Sequence, residues 1–187
     1  MRIISGKIKG KKLILPPDKN TRPLKDLTKE SIFNILGHSK KFKIKIHKSR
    51  ILDLFSGVGS FGLECLSRDA LNVTFIENYQ KVIEILKKNI INTGFKDKSV
   101  LIEKDIFDHV NFKDFTEKFD LIFMDPPYKI ENLNLLLEKI NKTNILVDNG
   151  IIIIHRHKKE NDNFVHNFNI IEEKSYGISK IIFGKFN

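Results

Sequence analysis

Cysteine is nearly absent from this 187-residue chain. Cys65 stands alone, which excludes an internal disulfide and any metal site built from several thiolates. Long apolar runs are also missing, and no stretch approaches the roughly 20 apolar residues that a membrane-spanning helix requires. Met1 leads straight into a polar, basic segment, so no secretory signal peptide is expected. Internal repeats and low-complexity linkers are absent. These gaps point to a cytoplasmic protein with no membrane partner and no bound metal. The length favours one domain with room for a full hydrophobic core, and an apolar share of 41% is ordinary for one.

The net charge of +10 is unevenly placed. Residues 1–50 hold 15 of the 33 Lys/Arg and 3 of the 23 Asp/Glu, a net of +12, and the remainder carries −2. A composition rich in Lys throughout would spread the bases evenly. A polyanion is therefore the expected partner of residues 1–50, with Arg2, Lys7, Lys9, Lys11, Lys12 and Arg22 as candidate phosphate contacts.

Two regions follow: a basic extension over 1–50 and an α/β domain over 51–187. In the first, Ile3-Ile4 and Leu13-Ile14-Leu15 bracket Lys9-Gly10 and predict a small hairpin. Asp26 is placed to cap a helix through Ile32, Phe33 and Leu36 that Gly37 ends, and 40–50 reads as an exposed basic connector. Beyond it, short apolar runs alternate with helical patterns, as in a parallel sheet with crossover helices. The expected strands are Ile51–Phe55, Val73–Glu77, Val100–Lys104, Phe119–Met124 and Ile151–His155. Val82, Ile83, Leu86 and Ile90 mark one face of a helix, and a shorter helix is expected over Asn132–Asn141. Ile170–Tyr176 and Lys180–Phe186 read as a closing pair of strands.

Asp53-Leu54-Phe55-Ser56-Gly57-Val58-Gly59-Ser60-Phe61-Gly62 sets G-x-G-x-x-G between a strand and a helix, where glycines permit a tight turn and close backbone approach to a ligand. Glu77 ends the next strand, where a carboxylate can grip the ribose hydroxyls of an adenosine. A dinucleotide would bring an anionic pyrophosphate to this loop. Asp53 opposes that anion and favours S-adenosylmethionine, whose sulfonium and ammonium are cationic; the competing role for Asp53 is a loop-capping acid. Phe55, Gly57 and Gly59 belong to the same cofactor site. Asp105 and Ile106 either receive the adenine, by hydrogen bond and packing, or simply begin a helix. Cys65 reads as a small buried residue.

Phe119-Asp120-Leu121-Ile122-Phe123-Met124 delivers Asp125-Pro126-Pro127-Tyr128 to the carboxyl edge of the sheet, where ligands bind in open α/β folds. Tandem prolines fix φ and remove two donors, leaving carbonyls free. An acid and a carbonyl together accept both protons of one NH₂ group, which orients an exocyclic base amine. Tyr128 offers a stacking ring, and the base must be unpaired or extruded to reach it. The four residues are the predicted catalytic loop, acting by alignment and electrostatics. His155-Arg156-His157 closes the fifth strand and is expected to form a solvated or RNA-facing edge rather than a metal site.

Taken together, these residues resemble the bacterial 16S rRNA guanine-N2 methyltransferase family of the RsmD type, over nearly the whole chain. The resemblance is carried by Met1-Arg2-Ile3-Ile4-Ser5-Gly6, Lys9-Gly10-Lys11-Lys12-Leu13, Thr21-Arg22-Pro23, Lys29-Glu30-Ser31-Ile32-Phe33-Asn34-Ile35-Leu36, Asp53 to Gly59, Leu63 to Arg68, and Asp125 to Tyr128. It implies a Rossmann-like class I fold, with a seven-stranded, mostly parallel sheet, an antiparallel C-terminal strand and a small N-terminal extension. It further implies S-adenosylmethionine as cofactor and N2 of one guanine in 16S rRNA as target. The partner is then the small ribosomal subunit or its assembly intermediate, met by a monomer. The chain departs from the family at Leu27 and Lys29, the positions of two arginines.

The motif alone leaves an adenine-N6 methyltransferase acting on DNA or RNA as the alternative. A nucleotide-dependent oxidoreductase fits Asp53 and Asp125 poorly, and a non-catalytic RNA-binding module has no use for Glu77, Asp125 and Tyr128 together.

Overall fold

The apolar runs become seven strands: β1 (Arg50–Leu54), β2 (Asn72–Ile76), β3 (Ser99–Ile102), β4 (Phe119–Met124), β5 (Leu146–His157), β6 (Phe168–Tyr176) and β7 (Ser179–Phe186). Four α-helices accompany them: α1 (Asp26–His38), α2 (Ser60–Ser67), α3 (Gln80–Thr93) and α4 (Leu133–Thr143). This computed structural model describes residues 1–17, 24–127, 130, 132–160 and 162–187. The sheet order is β3-β2-β1-β4-β5-β7-β6. β1 to β5 pair in parallel, β7 lies antiparallel beside β5, and β6 pairs antiparallel with β7.

The central strands are apolar at nearly every position because both faces of the sheet are covered. Ile51, Leu121, Phe123, Ile151 and Ile153 face one way, into a core completed by Phe61 of α2 and Leu86 of α3. Leu52, Leu54, Ile122, Met124, Ile152 and Ile154 face the other, against Leu136, Leu137 and Ile140 of α4. α3 buries the four residues that define its apolar face and ends at Gly94, whose φ of 75° closes the helix in the left-handed conformation.

Residues 1–50 share the first of these cores. Ile3, Leu13, Ile32, Phe33 and Phe42 are buried in it, and the rings of Phe33, Phe61 and Phe123 stack in series at 5.4 and 3.9 Å. A buried ion pair adds a polar tie. Lys29 Nζ lies 3.5 Å from the Glu64 carboxylate, with both side chains fully buried, and donates to the Arg2 carbonyl at 2.8 Å. Glu64 also accepts the amides of Ile4 and Ser5 and the Arg68 guanidinium. Lys29 is thus an internal fastener of the extension. Leu27, the other departure from the family pattern, is 67% exposed.

Several local expectations change. The hairpin reduces to a single antiparallel bridge, Arg2 with Lys12, because Gly6 and Gly10 at φ of 86° and 88° curl the segment against α2. Asp26 opens α1 as its first-turn acid rather than capping it through its side chain, and the helix passes Gly37 to end at His38. The basic connector is pinned by Phe42, packed on Phe183 at 5.3 Å. β5 begins five residues earlier than its apolar run, where Leu146 pairs with Phe119 ahead of an irregularity in the ladder.

Candidate active site

Strand register builds the site. Leu54 pairs with Ile76 and with Met124, Ile76 pairs with Ile102, and Met124 pairs with Ile154. The residues that follow these ends, Phe55, Glu77, Asp125 and His155, therefore emerge side by side at one carboxyl edge. The chain winds outward from β1 through β2 and β3, then returns to β4 on the other side. This reversal opens the crevice in which doubly wound sheets bind ligands.

The glycine loop fills the β1 side of that crevice. Phe55, with φ of 58°, takes the left-handed conformation without being glycine, a strain of about 1–3 kcal/mol of the kind that concentrates at functional loops. Ser56, which sequence reasoning missed, clamps the loop to β2: its amide donates to the Ile76 carbonyl at 3.0 Å and its hydroxyl to the Asp53 carbonyl at 2.6 Å. Gly57 adopts φ of 54°, and a Cβ there would project into open space, so the backbone face is accessible to a ligand. At Gly62 a Cβ would lie 2.3 Å from the Phe75 ring, so this glycine serves the packing of α2 on β2.

Two carboxylates, Asp53 and Glu77, contact this loop, and a third, Asp105, follows β3. Asp53 is 1% exposed and accepts the Gly62 amide at 3.0 Å, so it sits beneath the loop as an internal cap of α2. Burial pushes its carboxyl well above the ordinary range against the Gly62 hydrogen bond, and the charges of Asp125 and Glu77 push it further. Glu77 is partly exposed; it accepts the Gly57 amide at 2.8 Å and the amides of Asn78 and Tyr79 at 3.0 Å. Asp105 accepts the Phe107 amide at 2.9 Å and an Asn78 side-chain N–H, while Ile106 is buried beside it. Cys65 is fully buried and its thiol is pushed well up by that burial, so it is chemically inert.

On the β4 side, the Asp125 amide lies 3.4 Å from the Leu54 carbonyl, which joins the two halves of the crevice. Its Oδ1 is 2.7 Å from His155 Nδ1. Pro126 is buried and Pro127 exposed. The Pro127 carbonyl accepts the Ile130 amide at 3.1 Å and Arg156 Nη1 at 3.3 Å. Tyr128, the stacking ring of the predicted loop, lies outside the described residues, as do Lys129 and Arg22.

The expectation of a solvated edge at His155-Arg156 is overturned. These side chains are 2% and 3% exposed, and each grips the Asp-Pro-Pro loop from β5. Arg156 is itself held by Asp162 at 2.8 Å, and Lys180 lies 3.3 Å from the same carboxylate. The sequence carries a signal for this: polar residues directly after Ile151–Ile154 must emerge beside Asp125 once β5 pairs with β4.

The basic residues divide along α2. Lys7 is tied to the helix's C-terminal end, its amide donating to the Ser67 carbonyl and its ammonium paired with Asp69. Ile14, by contrast, donates to Asn89 Oδ1, and Asn89 Nδ2 donates to the Val58 carbonyl in the glycine loop. Lys9, Lys11 and Lys12 are exposed, and Arg2 pairs loosely with Asp26 at 3.8 Å. Among the described residues, no group of three His, Cys, Asp or Glu could hold a metal, and no helix is long and apolar enough to cross a membrane.

Comparison with known proteins decides the family. A family model described as conserved hypothetical protein 95 matches residues 1–185. The chain belongs to that family. It is the RsmD family to which the sequence motifs pointed. The chain is 35% identical over 156 residues to the ribosomal RNA small subunit methyltransferase D of Buchnera aphidicola, spanning 83% of this chain and 76% of the relative. It is 32% identical to the protein of that name from Haemophilus influenzae, over 95% of this chain and 90% of the relative. The solved structure of the Escherichia coli protein yhhF superposes with a TM-score of 0.81 at 25% identity, covering 100% of this chain and 97% of that one. The fold is the Rossmann-like methyltransferase fold, and the chain is a methyltransferase enzyme.

Proposed function

We propose that the protein transfers the methyl group of S-adenosylmethionine to the exocyclic N2 amine of a guanine in small-subunit ribosomal RNA. The observation that carries this reading is the placement of Asp125 beside the strained glycine loop at the switch point of the sheet. The RNA target follows from family membership and from the charge skew of residues 1–50.

The residues present fit the cofactor. The carboxylates of Glu77 and Asp125 stand close enough to Asp53 for their charges to raise its proton affinity. Such a site repels a pyrophosphate and attracts a sulfonium and an ammonium. Glu77 and Asp105 are the acceptors for ribose and adenine, Ile106 and Phe55 the apolar walls, and Gly57 the backbone approach, while Gly59, where a Cβ would lie 2.4 Å from Leu86, lets the loop pack on α3. When bound, S-adenosylmethionine supplies an electrophilic methyl group.

The chain's own task is to hold the amine. Asp125 accepts one of its protons. The Pro127 carbonyl is engaged by Arg156 and Ile130, so the Pro126 carbonyl is the partner for the second. Those two acceptors orient the amine so that its lone pair, otherwise delocalised into the base, faces the methyl group, and the amine gives up a proton to solvent or Asp125. Tyr128 stacks on the extruded base. Residues 1–50 dock the RNA, and the protein acts as a cytoplasmic monomer on the small ribosomal subunit or its assembly intermediate.

The test uses tritiated S-adenosylmethionine with small-subunit particles from a strain lacking the activity, followed by nucleoside identification. Labelled N2-methylguanosine is expected. Label on adenine N6, or no label in RNA, would overturn the reading.

A further inference from the structure

The catalytic acid has a partner that the methyl-transfer reading does not require. His155 Nδ1 sits 2.7 Å from Asp125 Oδ1, and the imidazole is 2% exposed at the end of β5. The next residue, Arg156, holds the Pro127 carbonyl and is braced by Asp162. Two consecutive strand residues thus fasten the first and third positions of the Asp-Pro-Pro loop. Because Met124 pairs with Ile154, sheet register fixes both interactions, and no loop rearrangement is needed to form them.

A carboxylate on a single χ2 torsion can present either oxygen, at many angles, to an incoming amine. An N–H donor from a buried ring removes that freedom, since it occupies Oδ1 and leaves Oδ2 for the substrate. We infer that His155 is a positioning residue for methyl transfer: by donating from Nδ1 to Oδ1 it sets the orientation in which Asp125 receives the base amine. This rests on the function proposed above, and it adds a residue on a different strand to the machinery.

The same geometry bears on the identity of residue 125. With Nδ1–H donating, an asparagine at 125 would turn its carbonyl towards His155 and its NH₂ towards the substrate, donor against donor. Asparagine could serve only if the ring gave up its Nδ1 proton. His155 therefore makes aspartate the required acid in this chain.

The experiment compares kcat, KM for RNA and cofactor affinity in the full-length protein carrying His155→Leu, His155→Asn, Asp125→Asn, and His155→Leu with Asp125→Asn. The wild type is assayed alongside, so absence of N2-methylguanosine there would refute the function, and the inference with it. His155→Leu is expected to lower kcat by about 10²-fold, the scale of removing one preorganised hydrogen bond, with cofactor affinity unchanged by calorimetry. His155→Asn places an amide N–H near the Nδ1 position and is expected to restore at least tenfold of that loss. The double variant is expected to be at least as active as Asp125→Asn alone, because without the ring donor the asparagine is free to turn its carbonyl to the amine. Additive losses, equal kcat in the Leu and Asn variants, or a loss matched by weakened cofactor binding would each overturn the positioning role.

Discussion

Gly57 donates its amide hydrogen to Glu77 Oε2 at 2.8 Å, so the loop that opens α2 is fastened to the end of β2 by a carboxylate. The other oxygen of Glu77 accepts the amides of Asn78 and Tyr79. One side chain therefore shapes two loops that meet at the cofactor crevice, and it is also the acceptor assigned to the ribose. A structural role and the proposed binding role coincide in it.

Glu77→Gln separates its charge from its shape. The amide keeps one acceptor oxygen and turns an NH₂ towards backbone donors on the other side. Losing a charge-assisted acceptor costs about 1.5–3 kcal/mol, so cofactor affinity should fall roughly tenfold or more and the thermal midpoint should drop by several degrees. Calorimetry with S-adenosylhomocysteine and a thermal melt would measure both. An unchanged dissociation constant would remove Glu77 from the cofactor site.

Asp53→Asn should behave in the opposite sense. Asparagine can still accept the Gly62 amide, while the reluctant buried charge disappears. Burial raises the Asp53 carboxyl, so the folded chain holds that proton more tightly than the unfolded chain does. Well below the ordinary carboxyl range both states are protonated, and variant and wild type differ least. As pH rises from about 4, the unfolded chain ionises first, and wild type loses stability relative to the variant until the raised folded value is passed. The melting-temperature advantage of Asp53→Asn should therefore widen between acid and neutral pH. An offset constant across that span would contradict the buried assignment.

Lys29→Ala should detach the extension from the sheet. Burial lowers the Lys29 ammonium pKa, and Glu64, foremost among its neighbours, opposes that shift. Removing the lysine leaves Glu64 buried without its full complement of donors. Breaking a buried pair in this way costs about 3–5 kcal/mol. Denaturant unfolding would measure it, and amide exchange should show the loss concentrated at residues 2–5 and the start of α2. A cost below about 1 kcal/mol, typical of exposed pairs, would place the pair in solvent.

Lys11→Glu with Lys12→Glu tests the docking role of the extension. Both side chains are exposed, on the turn whose next residues reach the glycine loop through Asn89. RNA affinity should fall, and the slope of log affinity against log salt should become shallower by about 1 for each phosphate no longer neutralised. Cofactor affinity should stay unchanged. An unaltered salt slope would move RNA docking to another surface.

Much of the architecture was legible because it rests on local pattern. Apolar runs too short for buried helices, spaced by amphipathic segments, announced β1 to β5, and the glycine loop and Asp-Pro-Pro segment each followed a strand that the fold retained. Where expectation failed, a distant partner supplied the reason. The hairpin shrank to one bridge because Gly6 packs directly on Ser67, where an added Cβ would lie 1.9 Å from the carbonyl oxygen. Lys29 was legible only as a departure from a family arginine, and its pairing with Glu64, 35 positions later, is made in the buried core.

The sequence by itself determined the fold class and the reaction type, since strand-end motifs and turn glycines state their geometry within a few residues. Tertiary structure alone decided which side chains act together. Only the register between β4 and β5 brings His155 and Arg156 to Asp125 and Pro127, and only burial turns them from an apparent solvated edge into supports of the loop. Pairing across thirty residues of chain is a property of the packed sheet, because hydrogen-bond register, rather than local propensity, fixes which strand ends meet.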